Sequence, residues 1–488
     1  MPGSTVNERV AGGDGQGDAP IADAVESFLS EGVASFTTPG HKRAAWLSDP
    51  LLERDVPLAT GADDSRLSQG VLARAQALAA ELWSADFCRF SVSGSTHCNQ
   101  AFCLALGAPG DKVAVSRALH KSTFAGLVLA GLEPVWMHPE VDPASGIAVG
   151  LSLRDVERAL KEGVSAVLVV EPSYLGVMSD LPAIIELAHS AGVPVIVDQA
   201  WGSHLGLHPA LPRNAMQMGA DGMVISAHKT LAAFTQGALL LTQGSRLDRV
   251  RLDGAFETLN TTSPSASIYG SIDRSRQLMA APAGRELLAR ALDLARGFRV
   301  EIADVQGLSV LDEQAIAHHP TALALDPLKL VLSLAGTGAD GFAVERDLWE
   351  AGLRLEMADR ETIVPLLTIG DDETSVGRLS AALRESLERR RRRPREPAAS
   401  TVWRLRAEIG MLPREAFFAP HERVAASAAV GRISAETAAP YPPGIPALAP
   451  GEVVTAELLE ALQAEAAAGS RVAYCSDPTL QTLLVVAR

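Results

Sequence analysis

Short apolar runs alternate with helical patterns between about Gln69 and Gln243. The runs are Lys112-Val113-Ala114-Val115, Pro134-Val135-Trp136-Met137, Ala166 to Val170, Pro194 to Val197, Met223 to Ile225 and Ala238 to Leu241. Each is too short for a helix, and most are rich in valine, so they predict buried strands. The segment Gln69 to Trp83 (QGVLARAQALAAELW) has the composition and spacing of a strong helix. Further helical patterns near 121–131, 153–162 and 181–191 separate most of the runs. This alternation predicts an α/β fold: a mostly parallel sheet flanked by helices on both faces. In such sheets ligands bind beyond the carboxyl ends of the strands.

The pattern changes after about Val300. A smaller α/β unit is expected over 301–388, then a basic linker over 389–399 (Arg389 to Arg393, Pro394, Arg395, Pro397). A last unit over 400–488 contains the loop Pro440-Tyr441-Pro442-Pro443-Gly444-Ile445-Pro446, giving smaller C-terminal α/β domains after a large domain at 69–300. Upstream, 21–68 reads as an N-terminal arm. Residues 1–20 are polar and rich in Gly and Asp, without the apolar stretch of a signal peptide, and are expected to be disordered.

Composition narrows the class. A chain of 488 residues implies two or three domains. Its 47% hydrophobic and 21% charged content is that of an ordinary globular protein. The net charge of -15 speaks against a general nucleic-acid binder, so the basic run reads as a solvated helix end and linker. No apolar run approaches the ~18 residues of a membrane span. Cys88, Cys98, Cys103 and Cys475 show no C-x-x-C spacing, which fits reduced thiols in a cytoplasmic protein and no metal site.

The candidate chemistry centres on Ser226-Ala227-His228-Lys229-Thr230, just past the apolar run ending at Ile225. Burying an ammonium without a partner is costly, and a lysine that forms an imine with an aldehyde cofactor such as pyridoxal 5'-phosphate (PLP) evades that cost. An isolated match reads equally well as a surface lysine. Three upstream features change the balance. Ser93-Gly94-Ser95-Thr96 precedes a helical stretch, where amides, hydroxyls and the positive dipole end suit a phosphate, although it also reads as an ordinary N-cap. His120, in Ala118-Leu119-His120-Lys121-Ser122, could lie flat on a pyridine ring or simply sit at a helix start. Asp198 closes the run 194–197, where it could pair with a pyridinium nitrogen or cap a helix.

In this order the residues match a known pattern. The chain resembles the bacterial Orn/Lys/Arg decarboxylases, PLP enzymes of the aspartate-aminotransferase fold (fold type I), in their short form. The resemblance rests on Thr38-Pro39-Gly40-His41-Lys42, Gly94-Ser95-Thr96, His120-Lys121-Ser122, Glu171-Pro172-Ser173-Tyr174 and Asp198-Gln199-Ala200-Trp201. It continues through the lysine motif with Thr235-Gln236, Thr261-Thr262-Ser263-Pro264-Ser265, Arg414-Glu415-Ala416-Phe417-Phe418, Gly431-Arg432-Ile433 and Gly451-Glu452.

The resemblance implies a set of roles. Lys229 would form the imine, Asp198 would pair with the pyridinium, and His120 would stack on the ring. Ser95, Thr96, Ser226 and His228 would hold the phosphate. Thr262 and Ser263 would reach the phosphate of a neighbouring subunit, placing the site at the interface of a homodimer or higher homo-oligomer. The implied reaction is decarboxylation of a basic amino acid, with arginine first, lysine or ornithine next, and His228 or Lys229 reprotonating Cα. Glu356, Asp359, Glu436 and Glu452 are candidate acids for the distal cation. His97 and Cys98 depart from the small residues usual after Gly-Ser-Thr, and Gln199 stands where many short members carry Glu, a change that could alter substrate choice. An aminotransferase or oxidative enzyme would use the same cofactor residues, and a non-catalytic regulatory homologue is a third reading.

Overall fold

The computed structural model describes residues 15–30, 53–63, 70–141, 148–395, 402, 405–441 and 444–488. The motif Thr38 to Lys42, most of the expected disordered tail, and Pro442 and Pro443 lie outside these residues. The predicted runs form one seven-stranded sheet: β1 (Phe87–Ser91), β2 (Lys112–Ser116), β3 (Glu133–Met137), β4 (Val167–Val170), β5 (Val195–Asp198), β6 (Gly222–Ile225) and β7 (Ala238–Thr242). The strand order is β1-β7-β6-β5-β4-β2-β3. From β6 to β3 every pairing is parallel, while β7 and β1 are antiparallel additions at one edge.

The valine runs are continuous because both faces of these strands are covered. Val195 and Val197 point into one core with Met223 and Ile225, while Ile196 and Val224 point into the other. Helices α1 (Pro20–Ser30), α2 (Val71–Leu82), α3 (Gly94–Leu106), α4 (Lys121–Ala130), α5 (Leu153–Leu160) and α6 (Leu181–Ser190) surround the sheet region. The strand β1 was not among the predicted runs. Arg89 interrupts its apolar pattern, and that side chain turns outward to Asp253 at 3.2 Å.

One expectation about the N-terminus is corrected. Residues 15–20 belong to the packed structure: Ala19 and Pro20 are buried, Arg74 pairs with Asp18, and Arg276 Nη1 donates to Gln16 O at 2.7 Å. A polar, glycine-rich composition concealed partners roughly 60 and 260 residues away.

Past Val300 a four-stranded antiparallel sheet forms from β8 (Ser309–Val310), β9 (Leu332–Ser333), β10 (Met357–Ala358) and β11 (Thr362–Val364), with α7 (Gly341–Glu350) and α8 (Glu373–Arg390) alongside. The basic run begins as the last turn of α8, where Arg390 Nη2 pairs with Asp347 at 2.6 Å. The final segment pairs β12 (His421–Ala425) with β15 (Thr482–Val486), and β13 (Ala439–Tyr441) with β14 (Arg471–Ala473). Among the described residues no helix is long and apolar enough to cross a membrane.

This last segment is fastened to the large sheet by a buried fork. Arg117, just past β2, places Nη1 and Nη2 at 2.5 and 3.0 Å from the two carboxylate oxygens of Glu452. Its Nη2 also donates to Ala447 O at 2.8 Å, and Ala449 N donates to Glu452 at 2.9 Å. Glu452 is 2% exposed, so removing it strands the arginine in a dry site. The E452A variant is expected to lose about 3–5 kcal/mol of stability. Urea denaturation followed at the C-terminal segment checks this, and an unchanged midpoint would show that the fork contributes nothing.

Candidate active site

The carboxyl ends of β2, β4, β5 and β6 share one rim, because these strands are mutually parallel. Asp198 is the last residue of β5, Ser226 follows β6 directly, Glu171 follows β4, and His120 lies four residues past β2. Strand polarity alone therefore collects most of the predicted residues at one place.

The lysine segment turns at once into a single helical turn, Ala227–Thr230, after Ser226. Ser226 Oγ lies 2.5 Å from Ser95 Oγ in the first turn of α3, which joins the two predicted phosphate elements. Gly94 begins that helix with φ +70, a conformation that favours glycine, and nothing lies within 4 Å of where its Cβ would be. Backbone shape rather than space accounts for glycine here. Thr96, on the same turn, is exposed.

Asp198 is buried and held by two donors. Asn99 Nδ2 donates to Oδ2 at 2.7 Å and Ala200 N donates to Oδ1 at 3.1 Å. Asn99 Nδ2 also donates to Ser122 Oγ at 3.0 Å, and Ser122 Oγ sits 2.8 Å from His120 Nδ1. A polar chain thus runs from Asp198 to His120. The amide of Ser122 donates to His120 Nδ1 at 3.2 Å, so this histidine does cap α4. Its ring also lies close enough to Asp198 and Lys229 for both charges to act on it. Burial, more than anything, lowers its pKa, with Lys229 and Lys121 acting in the same direction and Asp198 opposing. The helix-start reading of His120 therefore holds, and the same ring stands in the pocket with Asp198 and Lys229.

Lys229 is half-buried, its Nζ 4.1 Å from the centroid of the Trp201 ring. Burial lowers its pKa, against the opposing charges of Asp198 and Glu356. A lowered pKa favours the free amine that imine formation requires. Next to it, His228 has Nδ1 2.9 Å from Gly237 O, an arrangement that puts its proton on Nδ1. Burial, and secondarily Lys229, lower its pKa, so near neutral pH the ring is neutral and Nε2 is an acceptor.

Three residues in the same pocket escaped the sequence reading. Asn99 sits beside other polar residues, His97 and Gln100, in the first half of α3, so the sequence does not single it out. Trp201 was visible only as part of a motif. Lys329 interrupts the apolar run Leu328 to Leu332, a detectable signal. It is 1% exposed, and its Nζ lies 3.6 Å from the centroid of the same Trp201 ring. Burial brings its pKa down to about 8. Stacking on an indole returns ~2 kcal/mol, less than the several kcal/mol that burying an ammonium costs. Tyr174 stands 6.0 Å from Trp201, ring to ring, and Tyr441 and Tyr474 of the C-terminal segment act electrostatically on it. Lys121 Nζ is 4.8 Å from the Tyr474 ring, so that segment closes one side of the pocket.

Three of the four candidate distal acids, and Gln199, are committed elsewhere. Of the four candidate distal acids, only Glu356 acts on Lys229 and Lys329. Asp359 is spent on the turn to Thr362, Glu436 on the amides of Ser476 and Leu484, and Glu452 on Arg117. Gln199 cannot tune substrate choice directly, because its amide donates to Gly202 O and accepts from Ala215 N, both at 2.9 Å. His97 is buried between Ser91 Oγ and Phe256 O, and Cys98 is a buried thiol. Thr262 and Ser263 are exposed and make no contact with Ser95, Ser226 or Lys229 in this chain.

The described pocket has the donor set that an aldehyde-phosphate cofactor needs: a deprotonatable lysine, a buried carboxylate, a flat neutral imidazole and a hydroxyl-lined helix start. Comparison with known proteins agrees. The Orn/Lys/Arg decarboxylase major domain matches residues 19–375, and the C-terminal domain of the same family matches residues 399–471. An arginine decarboxylase of Bacillus subtilis is 34% identical over 96% of this chain and 98% of its own length. One of Bacillus anthracis is 32% identical with the same coverage. Lysine decarboxylase A of Pseudomonas aeruginosa superposes with a TM-score of 0.83 at 23% identity, covering 96% of this chain and 80% of that one, which speaks for the fold. The chain belongs to the Orn/Lys/Arg decarboxylase family.

Proposed function

We propose that this protein is a PLP-dependent arginine decarboxylase that converts arginine to agmatine. The observation that carries the reading is the convergence of Lys229, Asp198 and His120 on one strand rim, in a chain 34% identical to an arginine decarboxylase along nearly its whole length. Bound PLP supplies an electron sink for the pair left on Cα when CO₂ departs. Lys229 would hold the aldehyde carbon and release it to the incoming α-amine. Asp198, held in place by Asn99 and Ala200, would hold a proton on the pyridine nitrogen. His120 would lie against the ring, its orientation fixed through Ser122. Ser95, Thr96, Ser226 and His228, with the positive end of α3, would hold the phosphate.

The proton returned to Cα is better assigned to Lys229 than to His228. Neutral His228 carries its proton on Nδ1, already donated to Gly237 O. The exposed Thr262 and Ser263 suit contact with a second copy, so the working form is read as a homodimer or higher homo-oligomer, acting in polyamine synthesis in the cytoplasm. Transaminase or oxidative chemistry would use the same cofactor residues, and the family match favours decarboxylation.

The test is incubation with PLP and, separately, arginine, lysine, ornithine and neutral amino acids, with products read by mass spectrometry. Agmatine is expected to form fastest. Faster amine formation from lysine or ornithine overturns the substrate, and a keto acid without amine overturns the reaction.

A further inference from the structure

Lys329 has no place in the cofactor set, yet it is nearly inaccessible inside the same pocket. It follows β-turn residues Asp326 to Leu328, next to the buried His204–Asp326 pair. Asp326 is not its ion-pair partner: Oδ1 accepts from His204 Nε2 at 3.1 Å and from Leu328 N at 3.0 Å. Among the described residues Lys329 makes no ion pair within 4 Å, and Asp326 first, then Glu356, act on it only from a greater distance. What it does touch is the Trp201 ring, which also carries Lys229. The Trp201 Nε1 beside them is buried and without a hydrogen-bond partner, as are His204 Nδ1 and Asp326 Oδ2. Lys329 is therefore a buried cation that feels the charges of Asp326 and Glu356 without bonding to either, beside the lysine that exchanges with the substrate's α-amine.

We propose that Lys329 is the counter-ion for the substrate's α-carboxylate and thereby selects amino acids over amines. This deepens the arginine-decarboxylase reading and rests on it. An amino acid attached near Lys229 carries its carboxylate one bond from the reacting Cα, within the region that Lys329 and Trp201 line. Two methylene-rich lysines on one indole leave that region dry, and dryness strengthens a single charge pair. Glu356, of opposite sign and acting on both lysines, would repel the carboxylate from its own side and bias it toward Lys329. Once CO₂ has left, the product amine has nothing to offer Lys329, so the contact favours substrate over product.

The experiment uses holoenzyme and two unreactive ligands that lack the α-amine: 5-guanidinovalerate, which has a carboxylate, and n-butylguanidine, which has none. Equilibrium binding is measured by isothermal titration calorimetry for the wild type, Lys329→Met and Lys329→Arg, each checked for bound-cofactor absorbance. In Lys329→Met, affinity for 5-guanidinovalerate is expected to fall tenfold or more, with n-butylguanidine changed less than twofold. Lys329→Arg, which keeps the charge, is expected to retain most of the preference for the carboxylate. Equal changes for both ligands in Lys329→Met, or no change in either, overturn the role of Lys329 and leave the substrate reading standing. Should Lys329→Met not fold, Lys329→Gln takes its place: a selective loss of 5-guanidinovalerate affinity supports the pairing, and equal changes for both ligands overturn it. An unchanged absence of preference in wild type and Lys329→Arg overturns it. Failure of the wild type to bind either guanidine overturns the arginine reading and this inference with it.

Discussion

The K229A variant is expected to lose turnover by on the order of 10³-fold or more, because exchange with the substrate amine and return of the proton both use this one amine. Visible absorbance of the covalently held cofactor should disappear with it. Stability should not suffer. Among the described residues Lys229 makes no ion pair, and the oxygens of Asp198 keep their donors on Asn99 and Ala200 when it is gone. Losing a half-buried ammonium whose pKa burial already depresses removes a desolvation cost that offsets its contact with the Trp201 ring. The useful signature is therefore a folded, thermally stable protein with neither absorbance nor activity. If K229A keeps its absorbance and turns over arginine, the imine assignment is wrong, and the second lysine on Trp201 becomes the residue to examine.

Much of the site could be read in the chain because strand polarity does the assembling. Five predicted runs turned out parallel, and Asp198, Ser226 and His120 met at the shared ends of four of them. What could not be read was whatever depends on partners distant in sequence. Glu452 looked like a free acid until Arg117, 335 residues earlier, was seen to occupy both of its oxygens. Glu436 and Asp359 were likewise spent on backbone amides, and Gln199 on Gly202 O and on Ala215 N, 16 residues later. Sequence gives the type of a polar residue but not whether its hydrogen bonds are already used. Asn99 and Lys329 went the other way. Each is a buried polar residue that faces the pocket rather than solvent. At Lys329 a polar residue breaking a buried pattern was the stronger signal, and the acids of the surface-like segments were the weaker one.

The D198N variant separates holding the cofactor from using it. Asparagine fits the same space and can still accept from Asn99 Nδ2, but an amide nitrogen facing Ala200 N would leave a donor opposite a donor. That mismatch is expected to cost about 1–3 kcal/mol of stability. The larger effect is electrostatic. A neutral amide no longer holds a proton on the pyridine nitrogen, and turnover is expected to fall on the order of 10²–10³-fold, the size seen when a preorganised charge-stabilising group is removed. Lys229 remains, so visible absorbance should persist, opposite to K229A. The charge of Asp198 raises the pKa of both Lys229 and His120. Removing it must lower both, so the pH midpoint of the bound cofactor's absorbance should move down rather than up. Activity within about tenfold of wild type, or a midpoint that rises, would place the pyridine nitrogen against some other group and return Asp198 to a role in the turn it shares with Ala200.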